Sequence, residues 1–508
     1  MELIIGNLQA IGLKTNADKT KTNSNDSEIE FPTLESGTTY KYLGVLENNN
    51  NMIAPENKEK ILKEIYNRVE LLCKTKLNAK NMFRAINEYA LSLLDYYIGI
   101  LDFKPKEMER IDIEIRRILN SYKIHLKPAN KERLYLPRSE FGRGLISIEY
   151  KAEKILHSFY SYLKEENNDR KRTILENEKT ENSMITNIEA IIKGKYQVQN
   201  DTILSSKIIS SLQKETAIAT IKGKIIHKTF YEATENSIID KESSSSWLKR
   251  GETSPKDEGF YLFIQDRNVF FGPENNKKCP HCNQAKKTVD HLATNCGRLL
   301  PYDYLQRHNE VLKCIHLSLC RKYKFTENKK LKVHQITKKL ENDYASIVTD
   351  HPILTDIRVK ENRPDIVVYD KFRKVITIIE VGITSASNLQ HAELTKKRKY
   401  DLLAKELGQL ERMKVQVIPY VLTWDGLVTT FNKTYRDDIG LDEKTHSYIQ
   451  TVALKKTLET VSFEHRELSQ RNSLEEEEST QAIDRLYEQW IQHMPTCTYH
   501  QLEVEDNG

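Results

Sequence analysis

What this chain has little of narrows it first. No apolar run reaches the roughly 20 residues that a membrane helix needs; Ala90–Leu101, among the most apolar, carries Asp95 inside it. Met1 is followed by no signal-peptide pattern, so the expectation is a soluble protein, of the nucleus or of the cytoplasm before import. Seven cysteines in 508 residues are too few for a disulfide framework. Three of them fall within 279–296 and Cys73, Cys314, Cys320 and Cys497 are dispersed, which fits a reducing compartment. An excess of one charge sign is also missing: 78 Lys+Arg stand against 73 Asp+Glu, a net charge of +5, so any basic footprint must be local. Internal repeats and a low-complexity domain are absent as well.

The length leaves room for three or four domains at roughly one per 100–200 residues. Residues 1–50 read as a small α/β piece, the end of a domain: a periodic helix over Leu3–Ile11, a stop at Gly12-Leu13, a polar stretch, then Tyr40-Lys-Tyr-Leu-Gly-Val as one short strand. Over 51–165 apolar residues recur at three and four, as in Ile61, Ile65, Val69 and Leu72 or Ile111, Ile115, Ile118 and Leu119, which predicts a mostly helical layer. Leu134-Tyr-Leu-Pro-Arg and Gly142-Arg-Gly break it with a turn. Residues 166–246 read as a helical connector, 247–300 as a linker with a cysteine cluster, 301–463 as an α/β domain, and 464–508 as a polar helical tail. The fold class is therefore multidomain, mostly α in its N-terminal half and α/β toward the C-terminus.

Cys279-x2-Cys282-x8-His291-x4-Cys296 supplies three thiolates and one imidazole, the donors that tetrahedral Zn²⁺ prefers. Four ligands close the shell, so the zinc is expected to be structural, a CCHC knuckle. Lys277, Lys278, Lys286, Lys287 and Arg298 surround it and could meet phosphates once the loop is fixed.

Arg363-Pro-Asp365-Ile-Val-Val-Tyr-Asp370 and Val375-Ile-Thr-Ile-Ile-Glu380 are β-branched runs separated by Lys371–Lys374, the pattern of a hairpin with a four-residue loop. A symmetric register puts Asp365 opposite Glu380 on one face, with Cα atoms roughly 4.5–5.5 Å apart. Two carboxylates so placed repel unless a cation lies between them, and oxygen-only donors favour Mg²⁺ or Mn²⁺. A phosphodiesterase also needs a positive group beside the phosphate. Two residues past the second acid, where a restriction-like PD-(D/E)XK pattern has lysine, stands Gly382. The next helix carries Glu393, Lys396, Lys397, Lys399 and Tyr400, and a lysine swung in from it would replace the missing one. The plainer alternatives are acids that cap strand ends and lysines that form a solvated face; an acid closing an apolar run is costly to bury without a partner.

These residues resemble the carboxy-terminal part of the polyprotein of non-LTR (LINE-type) retrotransposons that carry a restriction-like endonuclease. Gly12-Leu-Lys-Thr-Asn16 with Lys19-Thr-Lys21 is similar to the late palm motif of their reverse transcriptase, and Tyr40-Lys-Tyr-Leu-Gly44 to the primer-grip strand. Ala85-Ile-Asn87 through Leu134–Arg138 to Gly142–Ile146 resembles the thumb and post-thumb region. Arg307-His308-Asn309 and Arg363-Pro-Asp365…Glu380…Lys396-x2-Lys399-Tyr400 match the family's endonuclease pattern. The resemblance implies metal-dependent nicking of target DNA, whose freed 3′-hydroxyl primes reverse transcription of the element's RNA. It implies Asp365 and Glu380 as holders of Mg²⁺ or Mn²⁺, Lys396 or Lys399 as charge-balancing groups, and Arg307 and Tyr400 as nucleic-acid contacts. The family's polymerase aspartates precede the Gly12 motif, and nothing before it here supplies them, so polymerisation is not expected from this chain alone. The competing expectation is a catalytically dead, nucleic-acid-binding remnant of such an element.

Overall fold

A computed structural model of the chain describes residues 2–461 apart from 13–15, 17–20, 23–31, 36, 51, 128, 166–168, 181–182, 269–277 and 280. The tail expected over 464–508, most of the first palm-like motif, and Lys277 lie outside the described residues. The protein is multidomain and more than half helical, with a mixed sheet in its C-terminal part. It divides into two compact units, Met1–Thr75 with Ala85–Leu119 and Ile146–Gln213, and Lys76–Arg84 with Asn120–Leu145 and Lys214–Gly508. Among the described residues no helix is long and apolar enough to cross a membrane.

In the first unit the opening helix spans Glu2–Ala10 and a turn follows at Ile11-Gly12. The single strand expected over 40–45 is instead a hairpin, β1 (Tyr40–Tyr42) antiparallel to β2 (Val45–Glu47). Its two-residue turn has positive φ at both Leu43 and Gly44, 45° and 89°, the geometry that matches the twist of paired strands. The buried Asn57 amide reads β2 like an extra strand, accepting from the Leu46 amide at 2.9 Å and donating to its carbonyl at 2.8 Å. Asn57 lies on helix α1 (Glu56–Cys73), which buries Ile61, Ile65 and Val69 on one face; α2 (Pro105–Ser121) buries Met108, Ile111, Ile115 and Leu119 in the same way. Asp112, inside α2, accepts from Ser147 Oγ and from the amides of Ile148 and Glu149, closing the start of α3 (Ile148–Lys164).

The second unit is built on a five-stranded sheet ordered β3 (Lys339–Glu341), β4 (Ala345–Thr349), β5 (Ile366–Asp370), β6 (Val375–Thr384), β7 (Lys414–Thr423). The first four pair antiparallel and β6 and β7 pair parallel. Of the helices that surround the sheet, α4 (Pro255–Gln265), α5 (Val289–Thr294) and α6 (Leu305–Lys322) precede it in the chain. The parallel pair needs a crossover, which α7 (Leu389–Lys399) and α8 (Asp401–Glu411) provide, and α9 (Glu443–Val461) follows the last strand.

Residues of β5 and β6 alternate between two apolar layers. Ile366, Val368, Ile379, Val381 and Ile383 join a core with Val311 and Ile315 of α6 and Ala453 and Leu454 of α9, while Val367, Ile376 and Ile378 join one with Tyr400, Leu403 and Leu407. Burial on both faces explains why 375–379 is an unbroken apolar and β-branched run.

The turn expected around Leu134–Gly144 is a hub of this unit. Leu136, Pro137 and the short turn Arg138–Glu140 lead to Gly142, where a Cβ would lie 2.0 Å from the Leu136 carbonyl oxygen, so no larger residue fits. The loop aims three arginines at α4: Arg138 Nη1 and Arg143 Nε donate to Glu258 at 2.7 and 2.9 Å, and Arg133 Nη1 donates to Asp266 at 2.8 Å. The Glu258 side chain is fully enclosed. Glu258→Ala leaves two arginines facing a buried void, and is expected to lower stability by about 3–5 kcal/mol, read as a lower denaturant midpoint for the unit's unfolding.

Candidate active site and metal centre

The hairpin forms in the register expected from the two runs: Ile366 faces Ile379 and Asp370 faces Val375, so Asp365, one residue before β5, falls opposite Glu380. The loop 371–374 is closed by the Asp370 side chain, which accepts from the amides of Phe372 and Arg373. One detail differs from the sequence reading. Glu380 does not end its strand; β6 runs on to Thr384, and Glu380 sits in mid-strand, 4% exposed.

A carboxylate in that position needs counter-charges, and the crossover delivers them. Lys396 Nζ and Lys399 Nζ, one turn apart at the end of α7, both donate to Glu380 Oε1, at 3.1 and 2.9 Å. The Tyr400 hydroxyl lies 3.0 Å from both Glu380 Oε2 and the Arg363 carbonyl, sharing one proton between them. Gly382 makes this possible. A Cβ there would lie 2.6 Å from Lys396 Cε and 3.0 Å from its Cδ, so the lysine stem occupies the space above a bare backbone. The positive group absent from position 382 is thus carried over that position by Lys396.

Asp365 is held from three sides. Its Oδ2 accepts from the Val381 amide at 2.7 Å and lies 3.2 Å from His308 Nε2, and its own amide points at Glu380 Oε2 at 3.4 Å. Its carbonyl accepts from the Asp350 amide, and Asp350 in turn takes both Nε and Nη2 of Arg363. Burial alone would raise the Asp365 carboxyl; the His308 hydrogen bond and charge, the Val381 amide and Lys396 outweigh it and hold the group below its ordinary value. Burial works to lower His308, but the bond to Asp365 and its charge raise it above the usual histidine value. The second nitrogen, Nδ1, lies 3.3 Å from Asn309 Oδ1, so both ring nitrogens face acceptors and the doubly protonated ring suits the site. Tyr304 stacks on the imidazole, with centroids 6.3 Å apart.

Two residues take other roles than the resemblance implies. Arg307, expected on nucleic acid, is fully buried: Nη1 donates to the Ala293 carbonyl at 2.7 Å and Nη2 to Thr460 Oγ1 at 3.0 Å, so it ties α6 to α5 and α9. Its neighbour His308, one step or about 100° around the helix, is the residue that reaches Asp365. Tyr400, also expected on nucleic acid, is buried beneath Glu380. Glu393 turns away from the acid pair and accepts from Thr429 Oγ1.

The cysteine cluster closes as its spacing suggests. Cys279 Sγ and Cys296 Sγ stand 3.8 Å apart and Cys282 Sγ lies 3.3 Å from His291 Nε2, with all four donor atoms within 4.8 Å of one another. Thiolates bound at about 2.3 Å on a tetrahedral zinc stand about 3.8 Å apart, so this donor set fits a metal such as zinc. The Cys279 amide donates to the Ala285 carbonyl, and Asn283, just past Cys282, takes the left-handed conformation at φ 52° that turns the loop back. Amides of Ala285 and Gln284 directed at Cys282 pull its thiol down to about 6, which favours the thiolate that binds metal. Thr288 caps α5 by accepting from the His291 amide, fixing the third ligand. Asp290 of the same helix accepts from Trp424 Nε1 at 2.8 Å and from Arg267, so the cluster is docked on the end of β7. Lys278 and Lys286 are exposed and face each other in an isolated antiparallel bridge, and Lys287 is half-buried.

Among the described residues, no group of three or more His, Cys, Asp or Glu donors placed to hold a metal includes Asp365 or Glu380. No family model and no curated protein matches this chain.

The His308–Asp365 pair makes a pH prediction. The raised His308 contributes stability that is complete below its ordinary value of about 6.5 and lost as pH rises through its folded value; the lowered Asp365 contributes above about 3.9 and loses it as pH falls through its own. In divalent-free buffer the His308 ring resonances are expected to titrate with a midpoint above 6.5, and Asp365→Asn to move that midpoint down.

Proposed function

We propose that the second unit is a metal-dependent DNA endonuclease of the restriction-like PD-(D/E)XK kind, in a chain related to the carboxy-terminal part of non-LTR retrotransposon polyproteins. The observation that carries this is Lys396 crossing Gly382 to reach Glu380, with Asp365 paired across the hairpin: the acid, acid and lysine of the pattern meet although the sequence spacing is broken. A buried strand-borne carboxylate with two lysines on one oxygen is costly to assemble for stability alone, and such groupings concentrate at working sites.

On this reading the acid pair would hold a hard cation. Asp365 and Glu380 offer carboxylate oxygens from adjacent strands, and Mg²⁺ or Mn²⁺ binds through one or two carboxylates while keeping several waters. Bound there, the ion would supply Lewis-acid polarisation of the phosphate and an activated water. The chain's own groups do the rest. Lys396 and Lys399, 24% and 35% exposed, can leave Glu380 Oε1 for a phosphate oxygen and offset the charge that develops on it. Tyr400 holds Glu380 Oε2 and the Arg363 carbonyl together, which fixes the second acid against the first. His308 orients Asp365 and keeps it ionised. Lys278, Lys286 and Lys287 on the cysteine cluster are proposed phosphate contacts that bind DNA or RNA without base preference.

Asp365→Ala should abolish divalent-dependent nicking of a supercoiled plasmid while leaving DNA binding nearly intact; a chain that binds DNA with a steep salt dependence yet never nicks would instead be the non-catalytic remnant. A second variant tests the geometry. Lys396→Ala should cost about 100-fold or more in nicking rate, on the scale of losing one charge-stabilising donor, and adding Gly382→Lys should restore part of it, because the new side chain starts beneath the space that Lys396 leaves.

A further inference from the structure

A second group of soft donors lies in the same unit, apart from both sites above. His316 and Cys320 stand four residues apart on α6, so both point to one side of the helix. His334 comes to them from the connection between α6 and β3, just past the short turn Leu331–Val333. His316 Nδ1 lies 2.8 Å from His334 Nε2 and 3.5 Å from Cys320 Sγ, and the three donor atoms fall within 4.8 Å of one another. His316 and Cys320 are 0% and 1% exposed, while His334 is half-buried.

The 2.8 Å contact joins the two imidazoles as a hydrogen bond, but it leaves the rest of the buried ring unanswered. His316 Nε2 is buried and makes no hydrogen bond of good geometry. Nδ1 faces His334 and Cys320, and two nitrogens and a sulfur converge on one point with no carboxylate among them.

We propose that His316 Nδ1, Cys320 Sγ and His334 Nε2 form a second zinc site, with water in the fourth position. Two imidazoles and a thiolate suit Zn²⁺ and not Mg²⁺ or Ca²⁺. Nitrogen and sulfur ligands at about 2.0 and 2.3 Å on a tetrahedral ion stand about 3.5 Å apart, which the His316–Cys320 separation meets; the two imidazoles part by about half an ångström to admit the ion. Binding releases the Cys320 thiol proton to solvent. The mechanical consequence is local. The connection 323–338 contains only the turn Leu331–Val333 as regular structure, and the ion staples it to α6 about 12–18 Å along the helix from His308. This site does not depend on the nuclease reading, and its test does not use activity.

The full-length chain, saturated with Zn²⁺ and then freed of loosely held metal, is expected to carry two zinc ions per chain. His334→Ala, on the half-buried connection, should carry one while keeping its far-ultraviolet circular dichroism, and Cys282→Ser should lose the other ion independently. A wild-type chain that retains a single zinc, or a folded His334→Ala chain that retains two, overturns the proposal. Zinc K-edge absorption on the unmutated chain gives a reading free of folding artefacts. Three thiolates at one site and one at the other average to about two sulfurs per ion, whereas the CCHC cluster alone gives about three.

Discussion

The second unit is organised around one buried charge. Glu380 sits in the middle of β6 with both flanking residues in an apolar core, and an ion there costs several kcal/mol unless partners surround it. That requirement accounts for much of the neighbourhood. The crossover after β6 must return over the strand so that Lys396, Lys399 and Tyr400 arrive together; position 382 must lack a side chain so that the lysine can cross; and β5 must pair in the register that brings the Asp365 amide to Glu380. The parallel β6–β7 pair follows, because a helical crossover on one face leads the chain back alongside β6.

The cysteine cluster and the acid pair belong to one folded unit, joined through α6. Arg307 near the start of that helix grips the carbonyl of Ala293 on the helix of the cysteine cluster, and His308, the next residue, grips Asp365. Asp290, on the same cluster helix, is fixed by Trp424 just past β7, the neighbour of the strand that bears Glu380. A helix that binds the cluster with one residue and orients an acid with the next gives the two sites a fixed spacing. On the proposed reading, exposed Lys278 and Lys286 are then held at a defined place relative to the phosphate under attack.

Local patterns in the sequence carried the parts of this that depend on near neighbours. The hairpin register was legible because two β-branched runs flank a four-residue polar loop, and the source of the lysines because spacings of three and four put Lys396 and Lys397 on one side with Glu393 and Tyr400, with Lys399 adjoining Lys396. The four converging donors of the cysteine cluster were legible from spacing alone. The hairpin at Leu43-Gly44 was missed because a two-residue turn inside Tyr40–Glu47 reads as a continuous strand until the positive φ of Leu43 is known. The exchange of roles between Arg307 and His308 could not be read at all: adjacent helical residues differ by about 100°, and which one faces the core is set by α5 and α9, remote in sequence.

By itself, then, the sequence determined which residue types stand at ligand spacing and which runs form strands and helices, because those follow from local sterics and periodicity. The tertiary structure decided what each polar residue touches. Burial of Glu380 at mid-strand, the inward turn of Arg307, the placement of Tyr400 beneath the acids, and the meeting of His316 and Cys320 with His334 all depend on contacts between segments far apart in the chain. No spacing rule encodes those contacts; they come from the way whole faces of sheet and helix exclude water together.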